Sequence, residues 1–169
     1  RTKEKYFSGY NQVILNNLKR DLSDKTVIDY GCGGGFLGEL LLTKHKIRNY
    51  IGLDIVRRSL AHCEKRISQL TNNYKIDLLP QDLKQYNVDV LFSFACIQHF
   101  ESAEVLDDML NNINQSGIKL VCLHFRYASQ IKFSNEYDKK GNVGLCCMVT
   151  PNYIADRLPN YKIIYRPAC

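Results

Sequence analysis

Short apolar runs alternate along the chain with longer segments in which apolar residues recur every three or four positions. The runs read as buried strands and the periodic segments as amphipathic helices. Thr26–Tyr30, Tyr50–Leu53, Lys75–Leu79, Val88–Phe94 and Ile118–Phe125 are the predicted strands. The fourth is almost wholly apolar, as expected at the centre of a parallel sheet. Between them the spacing predicts helices over Phe36–Thr43, Arg58–Leu70 and Ala103–Ile113, the last followed by Gly117 as a C-terminal stop. Another amphipathic helix, over Tyr10–Arg20, precedes the first strand. After the fifth strand, Arg126–Val143 reads as an irregular insertion. Thr150 then caps a short helix with Pro151 at its first position, ending before Pro159, and Tyr161–Tyr165 reads as a last strand. This alternation predicts an α/β fold: a doubly wound, mainly parallel sheet with helices on both faces. With neither repeat nor linker, residues 1–169 read as a single domain.

Composition narrows the class without naming a function. The chain is 45% apolar and 24% charged, which suits a folded domain and argues against disorder. No apolar run approaches the ~20 residues of a membrane span. No stretch has the layout of a signal peptide, while a start at Arg1 leaves a lost targeting segment open; the cysteine pattern sets the expectation of a cytoplasmic location. The seven cysteines are odd in number and scattered, without a C-x-x-C pair. Neither a zinc site nor a disulfide framework is therefore expected, and the thiols read as free. The net charge of +6 favours anionic partners in general. The basic residues at Lys44, Lys46, Arg48, Arg57, Arg58, Lys65 and Arg66 are not interleaved with aromatics. They read as solvated helical faces rather than a nucleic-acid patch.

The chemistry concentrates in Asp29-Tyr30-Gly31-Cys32-Gly33-Gly34-Gly35, which leaves the first strand and opens a helix. Glycines there let the backbone turn sharply and let a ligand approach without meeting a Cβ. The helix start adds oriented N–H groups. In a doubly wound sheet this is the expected ligand crevice. Asp54 ends the second strand about 20 residues further on, the position from which a carboxylate can hold ribose hydroxyls. Asp82, just after Pro80, lies along the same sheet edge. It reads either as a partner for an adenine amino group or as a turn cap.

Two cofactors compete for this layout. Gly33, Gly35 and Gly38 satisfy G-x-G-x-x-G, the dinucleotide fingerprint, which is weak alone. The carboxylate at Asp29 suits the cationic ammonium and sulfonium of S-adenosyl-L-methionine (SAM) and would repel a pyrophosphate. Asp29-x-Gly31-x-Gly33-x-Gly35 resembles the first motif of the class I SAM-dependent methyltransferases. Gly52-Leu53-Asp54 resembles the family's ribose-binding motif, Gln81-Asp82-Leu83 its adenine-binding segment and Asp89–Ser93 its fourth-strand motif. The resemblance runs from about Val27 to Phe125. It implies SAM as cofactor and S-adenosyl-L-homocysteine as product. It also implies backbone contacts from Gly31, Gly33 and Gly35, ribose binding by Asp54, adenine contacts from Ile55, Asp82 and Leu83, and a methionine end bordered by Asp29, Ser93 and Phe94. The family's closing antiparallel strand has no clear counterpart; either it is missing or Leu145–Val149 supplies an unusual one.

Methyl transfer from a sulfonium needs alignment more than special groups. An oxygen or nitrogen acceptor can also need a base, and His99, following the fourth strand, has the right intrinsic range. A hydrogen bond to a neighbouring loop accounts for His99 equally well. His124 and Arg126 end the fifth strand and are candidates to meet the substrate, although His124 sits in an apolar run and reads first as a core histidine. Tyr6 and Tyr10 read as a lid over the cofactor or as packing. No D/N-P-P-Y/F follows the fourth strand, which lowers a DNA-adenine reading. The reading is a methyltransferase acting on a hydroxyl or amine of a small-molecule or sugar-like acceptor. The alternatives are an RNA or protein methyltransferase, a non-catalytic methyltransferase-like binding domain, and an NAD(P)-dependent oxidoreductase. The last lacks a Tyr-x-x-x-Lys pair at Tyr86, Tyr137 or Tyr161.

Overall fold

The computed structural model of the chain describes residues 3–11, 18, 20–133 and 147–164. Its ordered elements are α1 (Lys3–Tyr10), β1 (Thr26–Tyr30), α2 (Phe36–Lys44), β2 (Asn49–Asp54), α3 (Arg57–Ile67), β3 (Tyr74–Leu78), β4 (Val90–Ser93), α4 (Ala103–Ser116), β5 (Leu120–Leu123), β6 (Lys132–Phe133), β7 (Cys147–Met148) and α5 (Pro151–Arg157). Single 3-10 turns stand at Leu83–Gln85 and Ile97–His99. Among the described residues no helix is long and apolar enough to cross a membrane. The chain divides into two compact units that interleave in sequence.

The first unit (residues 1–81, 85–94 and 118–123) holds a five-stranded sheet in the order β3-β2-β1-β4-β5. Every pairing is parallel, with Asp29 beside Gly52 on one flank and beside Phe92 on the other. This is the doubly wound order, and the chain reverses direction of travel between β1 and β4, the switch point where such sheets bind ligands. Val27, Tyr50, Val90 and Phe92 form one packed face with Leu37, Leu40 and Leu41 of α2, Leu60, Cys63 and Ile67 of α3, and Tyr10 of α1. Ile28, Ile51, Leu53 and Leu91 alternate with them and are buried too, which is why these strands are near-continuous apolar runs.

The second unit (82–84, 95–117 and 124–169) carries α4, α5 and the β6–β7 hairpin. Ser102 caps α4 through its hydroxyl, which accepts from Val105 N–H at 3.4 Å, and Gly117 closes it in left-handed conformation at φ +74°. Thr150 caps α5 in the same way, with Tyr153 N–H at 3.1 Å. The two helices are clasped by Asp107, which accepts from Tyr153 Oη at 2.6 Å and from both Nε and Nη2 of Arg157.

Three predicted elements are corrected. Tyr161–Tyr165 is not a strand over its described part: Tyr161 N–H bonds Leu158, its hydroxyl donates to the Ile113 carbonyl at 3.1 Å, and Asn160 bonds Asn114. These contacts tie the chain to the end of α4 and leave Ile163 and Ile164 exposed. The first helix begins at Lys3, ahead of the predicted Tyr10; most of the predicted span, 12–17 and 19, lies outside the described residues. The unusual strand expected within Leu145–Val149 is present at Cys147–Met148, but it pairs antiparallel with β6 and not with the main sheet.

Candidate active site

The first unit gathers its functional groups where β1 and β2 end. Gly31, Gly33 and Gly35 have left-handed backbones, φ +78°, +52° and +78°. A residue with a Cβ adopts that region at a cost of about 1–2 kcal/mol, so the turn between β1 and α2 selects glycine. The N–H groups of Gly31 and Cys32 both donate to the Leu53 carbonyl, at 2.7 and 3.0 Å, pinning the turn to β2. Gly33 N–H donates to Asp54 Oδ2 at 2.8 Å, and Val56 N–H donates to Oδ1 at 2.8 Å. The buried Asp54 thus joins the glycine turn to the loop after β2. A Cβ on Gly33 would meet nothing within 4 Å, so that backbone borders open space. A Cβ on Gly35 would stand 2.8 Å from Cys63 Sγ, so α3 presses on the turn there.

Asp29 lies beneath this turn, 2% exposed, its Oδ2 accepting from the Tyr50 hydroxyl at 2.8 Å. Burial pushes its carboxyl up to about 7; the nearby Asp54 charge adds to the rise and the Tyr50 hydrogen bond opposes it. A cation brought close would restore the ionised form. Tyr50 fits only because residue 38 is glycine: a Cβ there would stand 2.5 Å from the Tyr50 ring. On the outer side, Arg66 of α3 donates from Nε to the Gly34 carbonyl at 2.8 Å and from Nη1 to Glu39 at 2.6 Å. Its guanidinium also lies 3.9 Å from the centre of the Phe36 ring. Arg66 therefore braces the turn against α2.

The other residues singled out from sequence fall as follows. Ile55 follows Asp54 and is 74% exposed. Ser93 closes β4, fully buried, and its hydroxyl has no hydrogen-bond partner among the described atoms. Phe94 stacks edge-on against Tyr10, ring centres 4.4 Å apart, so Tyr10 packs against the end of β4. The Tyr6 side chain lies outside what is described.

Asp82, Leu83 and His99 belong to the second unit. Asp82 is exposed and caps its own turn, Oδ1 accepting from Lys84 N–H at 2.9 Å. Leu83 is buried, its N–H on Asn112 Oδ1 at 3.0 Å. His99 is exposed, with Nε2 3.3 Å from Gln98 Nε2, and Gln98 Oε1 accepts from Arg126 Nε at 3.2 Å. His124 Nδ1 accepts from Ala95 N–H at 3.3 Å. Burial, and then the Arg126 charge, hold His124 below the usual imidazole range, which keeps that nitrogen an acceptor.

Tyr50, Arg66 and Gln98 were not found from sequence. Only Tyr50 had a signal, because the third fingerprint glycine, Gly38, implies a bulky neighbour. Arg66 and Gln98 act across separations of 32 and 28 residues, to Gly34 and Arg126 respectively, that no local pattern reports.

Comparison with known proteins follows the same lines. Residues 21–161 match the model of a family described as a methyltransferase domain. A probable S-adenosylmethionine-dependent methyltransferase of Mycolicibacterium smegmatis is 25% identical over 119 residues; the match covers 70% of this chain and 45%, less than half, of that protein. Among solved structures, the putative methyltransferase of Haloferax volcanii, in complex with the Trm112 methyltransferase activator, superposes with TM-score 0.64 at 14% identity, over 94% of this chain and 70% of that one. Magnesium protoporphyrin IX methyltransferase from Synechocystis, with bound SAM, gives TM-score 0.59 at 17% identity, over 94% and 67%.

Proposed function

We propose, since this chain belongs to the class I SAM-dependent methyltransferase family, that it binds SAM at the end of β1 and β2 and transfers the methyl group to a hydroxyl or amine of a small-molecule or sugar-like acceptor. The observation that carries the cofactor half of this reading is the glycine turn itself. Three left-handed glycines are pinned to β2, with open space at Gly33 and the Asp54 carboxylate beside it. Bound there, SAM supplies an electrophilic methyl group on a sulfonium. Asp54 retains lone pairs beyond its two backbone bonds and offers them to ribose hydroxyls. The exposed face of Ile55 suits an adenine ring. Asp29, ionised by the approach of a cation, would supply negative charge beneath the turn, and the Ser93 hydroxyl, without a partner among the described atoms, suits a polar ligand at the switch point. Asp82 and Leu83 are the proposed adenine contacts, and Phe94 the border of the methionine end. His99 is the candidate base, its Nε2 the nitrogen that accepts in the contact with Gln98.

The reading treats 1–169 as one methyltransferase domain, supported by a family match that runs through segments of both units. A second reading, in which the chain works with an activator subunit, is favoured by its likeness to the Haloferax volcanii protein solved with Trm112. The test is calorimetric titration with SAM, S-adenosyl-L-homocysteine and NAD(H), alongside Asp54→Ala. Saturable binding of SAM or its product is expected, weakened at least about tenfold in the variant by loss of charge-assisted hydrogen bonds. Binding of NAD(H) alone would end the methyltransferase reading, and binding of none of them would leave a domain without cofactor function.

A further inference from the structure

We infer that Arg126, oriented by Gln98 beside His99, is an anion-binding site that takes a carboxylate or phosphate group of the acceptor. This rests on the methyl-transfer reading above. In sequence, Gln98 and His99 follow β4 and Arg126 follows β5, and all three belong to the second unit.

The construction of this cluster selects for an anion. Arg126 Nε donates to Gln98 Oε1 at 3.2 Å, and Val149 N–H holds the Arg126 carbonyl at 3.0 Å. Backbone and guanidinium are thus both anchored, while the terminal nitrogens donate to no acceptor among the described residues. A guanidinium held by one edge offers its other N–H groups as a fork that matches carboxylate and phosphate. Elsewhere Arg66, Lys75 and Arg157 each face a carboxylate, Glu39, Asp77 and Asp107; Arg126 faces a neutral amide, and no carboxylate among the described residues pairs with it. Residues 95–101 and 124–133 carry Arg126 and Lys132 against the single carboxylate of Glu101, which makes no ion pair with Arg126.

The amide also fixes how His99 is met. With Oε1 turned to Arg126, the Gln98 amino group faces His99 Nε2 at 3.3 Å, so the candidate base and the candidate anion anchor share one side chain. The loop that carries Gln98 and His99 contains a strained residue. Ala95 has φ +55°, and its N–H is fixed by neutral His124; left-handed backbone in a residue with a Cβ persists where its surroundings enforce it, and such positions cluster at functional sites.

The test is a titration with inorganic phosphate at constant ionic strength, following the His99 ring resonances by NMR, on the wild-type chain, Arg126→Gln and Gln98→Glu. Saturable His99 shifts are expected in the wild type. They should be weakened at least about tenfold in Arg126→Gln, which removes the fork, and in Gln98→Glu, which pairs Arg126 internally. Arg126 is outside the proposed cofactor contacts, so SAM titration of Arg126→Gln should match the wild type and show that the variant is folded. Shifts that persist unchanged in both variants, or that are absent from the wild type, overturn the anion site. Failure of the wild type to bind SAM overturns the methyl-transfer reading instead, and with it the assignment of the anion to an acceptor.

Discussion

Asp29→Asn should stabilise the protein while weakening its cofactor site, and the pH dependence of the gain identifies its cause. The folded-state carboxyl is raised from 3.8 to about 7, first by burial. Between those values the folded chain holds a proton that the unfolded chain releases. Stability from this group is therefore greatest at low pH, falls as pH rises through the window, and is level above it. A rise of about 3 units corresponds to roughly 4 kcal/mol of disfavoured ionisation, an upper bound on what the amide can recover. Asparagine keeps an oxygen for the Tyr50 hydroxyl, so the hydrogen bond at 2.8 Å survives and only the charge is lost. Carboxylates held below their usual range, such as Asp77 and Asp107, impose the opposite slope as pH falls. They are common to both proteins and cancel in the difference. Urea denaturation of wild type and variant from about pH 4 to pH 8.5 should therefore give nearly equal stabilities at the acid end. The variant should pull ahead by up to about 1.4 kcal/mol per pH unit and level off above neutrality. Because a cationic ligand favours ionised Asp29, SAM affinity of the wild type should rise across the same window and that of the variant should not. A stability difference that is flat with pH, or a wild type more stable than the variant at pH 8, would refute the assignment of the raised value to burial of a charge.

Two further outcomes follow from the same geometry. Ser93→Ala removes a buried hydroxyl that has no partner among the described residues. It should raise ligand-free stability by about 1 kcal/mol in urea denaturation while lowering SAM affinity severalfold; a loss of stability would show that the hydroxyl is satisfied within the fold. Gly35→Ala combines a left-handed backbone with a Cβ only 2.8 Å from Cys63 Sγ. It should cost about 2–4 kcal/mol by thermal or urea denaturation, and Cys63→Ala in the same chain should recover part of that cost.

Legibility from sequence followed the range of the interaction. β1, α2 and β2 could be read almost to the residue because a buried parallel strand is a run of apolar side chains and the glycine turn ends it abruptly. The start of the site was legible for the same reason: Asp29, Gly31, Gly33, Gly35 and Asp54 are placed by covalent spacing and strand register. Tyr161–Tyr165 failed because apolar alternation states that a segment can pair, not which partner its polar groups find. The hydroxyl of Tyr161 and the amide of Asn160 found the end of α4 instead. Asp29 shows where the limit lies. Its type and position suggested a charge offered to a cation, yet its protonation is governed first by burial, which raises its pKa, and then by the Tyr50 hydroxyl, which opposes the rise, and both belong to the folded state alone. Even there one sequence feature pointed the right way. Gly38 is not needed for a turn, since it lies inside α2, so its missing Cβ had to make room for something. The ring it admits is that of Tyr50, the hydrogen-bond donor of the buried carboxyl. The third glycine of the fingerprint thus serves the chemistry of Asp29 through packing, and an alanine there would disturb the acid as well as the helix.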